Sequence, residues 1–107
     1  MTIEYTGRQT TITAKLKAQS EAGMVRIDRV TNRCTSAHII LTEDKHRRIA
    51  EVTVLCRGEQ LVATAESTEM ESALRIALDK VEQQAIHHKE RYATVRDHAR
   101  PVVAPSL

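Results

Sequence analysis

In the second half of the chain, apolar residues recur at Met70, Ala73, Leu74, Ala77, Leu78, Val81 and Ala85. This is the i, i+3, i+4, i+7 spacing of an amphipathic helix. Thr68 and Glu71 precede the stripe in capping-box order, so the Thr68 hydroxyl can accept from the Glu71 amide while the Glu71 carboxylate reaches back. The pattern predicts a helix from Thr68 to Arg91. At about 100° per residue, Lys80, His87 and Arg91 fall within roughly 40° of one another beside the stripe. This helix has one face to bury and a basic flank left in water.

Elsewhere the polar pattern alternates with period two. Ile3 and Tyr5 oppose Thr2, Glu4 and Thr6, which predicts a short strand ended by Gly7. Thr13 is placed to cap a helix running to about Val30, with Leu16, Ser20, Gly23, Met24, Ile27 and Val30 on its inner face. That face is weak, because a glycine within a helix costs ~1 kcal/mol relative to alanine. Lys15, Arg26, Arg29 and Arg33 gather on one flank. After a polar break at Thr31–Ser36, three strands are expected at Ala37–Thr42, Ile49–Arg57 and Leu61–Glu66. Glu43–Arg48 reads as the first connection and Gly58-Glu59 as a tight hairpin.

The order β-α-β-β-β-α predicts an α+β fold. The first helix is a crossover between parallel neighbours and the last three strands form an antiparallel meander. Both helices are expected on one face of a four-stranded sheet, with the other face open to water. Periodicity fades beyond Arg91, so residues 1–91 are expected to form the domain and 92–107, with Pro101 and Pro105, a flexible tail.

Composition narrows the function classes. A chain of 107 residues holds one domain, and a formal charge of +2 makes any nucleic-acid role depend on how charges are placed. Glu43, Asp44, Glu51, Glu66 and Glu69 lie in the strand-rich middle, and the last third is more basic. Tyr5 and Tyr92 are the only aromatics, which argues against folds that stack bases on aromatic rings. Cys34 and Cys56 are read as reduced packing residues rather than as a disulfide. No stretch has the length and apolarity of a membrane span, and no signal peptide opens the chain, so a cytoplasmic protein is expected.

No catalytic site is assigned. The chain has no Gly-rich phosphate loop, nucleophile elbow or HExxH motif. His87-His88 with His98 suggests a metal site at first sight, but adjacent helical residues point about 100° apart, so neither metal nor cofactor is expected. Asp44 and His46 read as a solvated turn rather than an acid–base pair. The basic helix flanks, joined by Lys45, His46, Arg47 and Arg48, suit phosphate contacts in a positive groove or ridge. The same charges also suit plain solvation.

The residues also resemble a family. IEYTGR (Ile3–Arg8), HIILTEDKHRRIAEVTV (His38–Val54), the Gly58-Glu59 turn and EMESALRIALDKVEQQAIHHK (Glu69–Lys89) are similar to the ribosome hibernation promoting factors, also called ribosome-associated inhibitors or sigma-54 modulation proteins. The likeness covers about residues 2–91 and implies the same β-α-β-β-β-α fold, akin to a double-stranded-RNA-binding domain. It implies a non-enzymatic translation inhibitor of starved or stationary-phase cells, seated in the decoding channel of the small ribosomal subunit, where it blocks mRNA and tRNA. The contacts to ribosomal RNA implied for this chain are Lys80, His87, His88, Lys89 and Arg91 of the second helix. Arg26, Arg29 and Arg33 of the first, with Lys45, His46 and Arg47 of the loop, complete the set. A histidine against phosphate would make binding strengthen as pH falls.

The chain departs from the family's pattern. Glu71 stands where an aromatic follows the methionine, Gln83 where Arg or Lys is usual, and His87 where Lys is usual; Gln19, Ser20 and Gly23 dilute the first helix. Long members carry a further domain that pairs two ribosomes, and this chain corresponds to a short form or to the first domain of a long one. A short form would dimerise ribosomes only with a partner factor, and otherwise inactivates single ones. The alternative reading is a double-stranded-RNA-binding or protein-interaction module acting through its open sheet face.

Overall fold

The alternating stretches pair into one sheet, and the apolar helical stripes cover a single face of it. The computed structural model describes residues 1–31, 34–56 and 58–97, with side chains as far as His87. In chain order these form β1 (Thr2–Arg8), α1 (Ala14–Thr31), β2 (Cys34–Asp44), β3 (Arg47–Cys56), β4 (Glu59–Ser67) and α2 (Met70–Asp97). The sheet order is β1-β2-β3-β4, with β1 parallel to β2 and the rest antiparallel. This is the topology that the alternation and the crossover predict.

Ala37, Ile39 and Leu41 of β2, Ala50, Val52, Val54 and Cys56 of β3, and Leu61, Ala63 and Ala65 of β4 are buried. Against them lie Leu16, Met24 and Ile27 of α1 and Ala73, Leu74, Ala77, Leu78, Val81 and Ala85 of α2. Each fully buried Leu, Ile or Val contributes about 1.5–3 kcal/mol, so this layer holds the fold. The weak face of α1 has a structural reason. An alanine Cβ at Gly23 would stand 2.8 Å from Leu78 Cδ1, so glycine is where the helices approach most closely. Buried Ser20 and Thr31 return their hydroxyls to the Leu16 and Ile27 carbonyls, at 2.8 and 3.4 Å. Thr13 caps α1 as expected, accepting the Leu16 amide at 3.2 Å.

Four expectations need correction. The EDKHRR stretch is mostly strand, because Glu43 pairs with Arg48 and Asp44 with Arg47 across β2 and β3. Only Lys45 and His46 turn the chain, with Lys45 at φ 54°. The cap of α2 is not the Thr68 box: the Glu69 carbonyl accepts the Ala73 amide at 3.0 Å, and the Glu71 carboxylate goes to Lys15 instead, at 3.1 Å. Helical backbone continues beyond Arg91 to Asp97, so only 98–107 of the expected tail lies outside the described residues. Finally, Cys34 and Cys56 are not separate packing residues. They form a disulfide, because the β2–β3 register sets them directly opposite each other.

Candidate nucleic-acid interface

The basic flanks of the two helices do not face each other across a groove. Arg26 of α1 reaches α2, 3.3 Å from Glu82 Oε1 and 3.7 Å from Asp79 Oδ1. Lys15 pairs with Glu71, and Arg75 with Asp79 at 3.9 Å. The Gln19 side-chain amide donates to the Glu71 carbonyl at 2.8 Å. The α1–α2 seam is therefore a row of opposite charges. Such exposed pairs contribute only about 0–1 kcal/mol each to stability, but they leave Arg26 largely neutralised as a phosphate ligand.

Lys80 lies on the other side of α2, over the sheet edge. Its Nζ donates to the Thr64 carbonyl of β4 at 3.1 Å, and Gln84 Nε2 donates to the Val62 carbonyl at 2.7 Å. No carboxylate of the described residues comes within ion-pair distance of Lys80, so its charge faces solvent uncompensated while the carbonyl fixes its position. His87 is exposed about two turns further along the same flank. His88, Lys89 and Arg91 follow on helical backbone, and their side chains lie outside the described residues. Arg29 is exposed on α1, and Arg33 lies outside the described residues.

At the far end of the sheet, Lys45 and His46 form an exposed hairpin tip. Arg47 beside them is committed to Asp44 at 3.0 Å and Glu66 at 3.3 Å. The hydrogen bond from Asp44 and the charge of Glu66 hold its guanidinium above the usual arginine range. Arg48 pairs with Glu43 at 2.9 Å. Asp44 thus serves an ion pair and not an acid–base couple with His46. The tip lies roughly 10–15 Å along the strands from the level of Lys80, so the expected cations fall into separate groups. Sequence reasoning passed over Arg8, exposed at the end of β1 in register with Thr42; only the parallel pairing brings it toward the hairpin end.

The opposite face of the sheet has another character. Thr2, Ser36, Leu55 and Gln60 form one row, and Glu4, His38, Thr53 and Val62 the next. Together, most of these residues line a shallow hollow of 440 Å³. His38 Nε2 and Thr6 Oγ1 stand 2.8 Å apart. Glu4, Glu51 and Glu66 make this face acidic, so it suits phosphate poorly. No three His, Cys, Asp or Glu residues among those described gather to hold a metal, and no described helix is long and apolar enough to cross a membrane.

Residues 3–93 match the model of the family described as sigma 54 modulation protein / S30EA ribosomal protein. The chain belongs to this family. It is 31% identical, over 98% of both chains, to the ribosome hibernation promoting factor of Azotobacter vinelandii. A ribosomal subunit interface protein from Coxiella burnetii superposes with a TM-score of 0.77 at 28% identity, covering 84% of this chain and 99% of its own. The N-terminal domain of Thermus thermophilus Protein Y gives 0.76 at 25%, covering 82% and 99%. The α+β architecture is thus the architecture of ribosomal subunit interface proteins. In this member, the seam pairs Lys15–Glu71 and Arg26–Glu82 consume charge, while the α2 flank at Lys80 keeps it.

Proposed function

We propose that this protein is a ribosome hibernation factor that works in the cytoplasm without enzymatic chemistry. It binds the small ribosomal subunit in the decoding channel and blocks mRNA and tRNA. The observation that carries this reading is the unequal distribution of uncompensated charge. Lys80, His87 and Arg29 stand on the helix layer, while the open sheet face carries Glu4, Glu51 and Glu66. Ribosomal RNA backbone then lies along the outer flank of α2, with His88, Lys89 and Arg91 extending the contact, and the Lys45–His46 tip supplies a second point. Arg26 and Arg47, already paired, act mainly by holding the surface in shape. Phosphate contacts of this kind give affinity and orientation with little sequence reading.

The test is co-sedimentation with purified small and large ribosomal subunits. Lys80→Glu together with Arg91→Glu reverses charge at positions that share a helical face about three turns apart. The double variant is expected to lose salt-sensitive small-subunit binding, with its circular dichroism and melting unchanged. Retained binding would sink the helix-flank reading. Leu55 and Val62, 38% and 43% exposed on the open face, favour a second reading as a protein-interaction module. A module of that kind would ignore the double substitution and respond to Leu55→Ser with Val62→Ser.

A further inference from the structure

We propose that Cys34 and Cys56 form a reversible thiol–disulfide exchange site that controls the end of α1, with Cys34 as the sulfur that is attacked and released. The proposal rests on the hibernation reading in one respect: a ribosome-bound protein works where thiols are kept reduced, so its disulfide is a state entered on oxidation and left again.

The fold brings the two sulfurs together without any change of strand pairing. Cys34 and Cys56 are direct partners across β2 and β3, and the register shifts immediately afterwards, between Cys34 and Ser36. Cys56 is fully buried, while Cys34 keeps 9% exposure at the beginning of its strand. A small thiol or disulfide therefore reaches Cys34 first. Chemistry favours the same sulfur. Thr31 Oγ1 stands 2.8 Å from Cys34 Sγ, and a hydroxyl at that distance donates to the thiolate and lowers the cost of forming it. A stabilised thiolate is also the better leaving group.

The exchange balances with a low-molecular-weight disulfide as oxidant. The Cys34 thiolate attacks R–S–S–R, forms a mixed disulfide and expels one thiolate RS⁻. The Cys56 thiolate then attacks Cys34 Sγ, closes the internal bond and expels the second. The two cysteine protons end on the two RSH molecules. Two electrons pass from the cysteine sulfurs to the small disulfide.

Closure has a mechanical consequence. The Cys34 amide donates to Asp28 Oδ1 at 3.3 Å, and Thr31 joins its sulfur to the last turn of α1. Cys34 is thus bound both to the helix end and to β3, and the bridge ties the turn bearing Arg29 to the sheet. The oxidised form presents Arg29 preorganised. Its small-subunit affinity is expected to exceed that of the reduced form roughly threefold to tenfold, the scale of ordering one or two side chains.

The experiment incubates the full chain in graded mixtures of reduced and oxidised glutathione, alkylates free thiols and reads the masses. A single reversible transition losing both thiols is expected. Cys56→Ser should capture one glutathione at Cys34, whereas Cys34→Ser should leave Cys56 as a free thiol. Two free thiols in fully oxidised glutathione, or capture at Cys56 in preference to Cys34, would overturn the exchange site. Co-sedimentation of the oxidised and reduced wild-type chain then reads the coupling, and equal affinity would overturn it. Loss of small-subunit binding in both forms would overturn the coupling and the hibernation reading together, while the mass measurement still judges the exchange site by itself.

Discussion

Gly23 shows how a single residue sets the distance between helices. Alanine there would gain up to ~1 kcal/mol of helix propensity, but its Cβ would press on the buried Leu78 methyl, and overpacking costs about 1–3 kcal/mol. The steric term wins. Gly23→Ala is expected to lower stability by roughly 1 kcal/mol in denaturant unfolding, and a gain would show that Leu78 gives way freely. Tyr5 provides a second test at this scale. Burial under α1, then the negative charge of Glu21, hold its hydroxyl above the usual tyrosine range. A folded-state value raised in this way gives stability that is fully present below the unfolded value, near pH 10, and is lost as pH rises through the folded value. Alkaline unfolding curves should therefore decline more steeply for the wild type than for Tyr5→Phe, whose profile lacks this component.

Among the elements, α2 was legible because burial itself imposes the 3.6-residue period: Ala73, Leu74, Ala77, Leu78, Val81 and Ala85 are both the pattern and the buried face. The β2–β3 hairpin was not. Glu43, Asp44, Arg47 and Arg48 are polar on every side, and period-two reasoning has nothing to grip in such a stretch; their strand character comes from cross-strand ion pairs, which exist only once the strands have met. The disulfide escaped for the same reason, since pairing depends on a register that composition does not reveal. The β4 edge carries another feature that no single-stretch reading shows. Edge strands expose unpaired carbonyls that recruit other strands, and α2 covers two of them with Lys80 and Gln84. Gln84→Ala removes one neutral hydrogen bond, a net loss of about 0.5–1.5 kcal/mol. Hydrogen exchange should accelerate in β4 first, and unchanged protection there would mean that solvent replaces the amide at no cost.

At the scale of the whole molecule, a net charge of +2 understates the asymmetry between the helix layer and the sheet face. The charged positions were legible in the sequence, but their availability was not. Arg26 and Arg47 look equivalent to Lys80 in the chain, and lose that equivalence only when Glu82, Asp79 and Glu66 arrive from other elements. This difference makes the salt dependence of binding informative. Each lysine–phosphate contact releases counterions and adds about 0.7–0.9 to the slope of log affinity against log salt. Lys80→Gln can keep a hydrogen-bond donor for β4 while removing the charge, so the small-subunit slope should fall by about that amount. Arg26→Gln removes a cation whose field is already cancelled by two carboxylates, and its slope should stay near the wild-type value. Equal losses for the two variants would mean that the Arg26 ion pairs open on binding, and that the α1–α2 seam is itself part of the RNA surface.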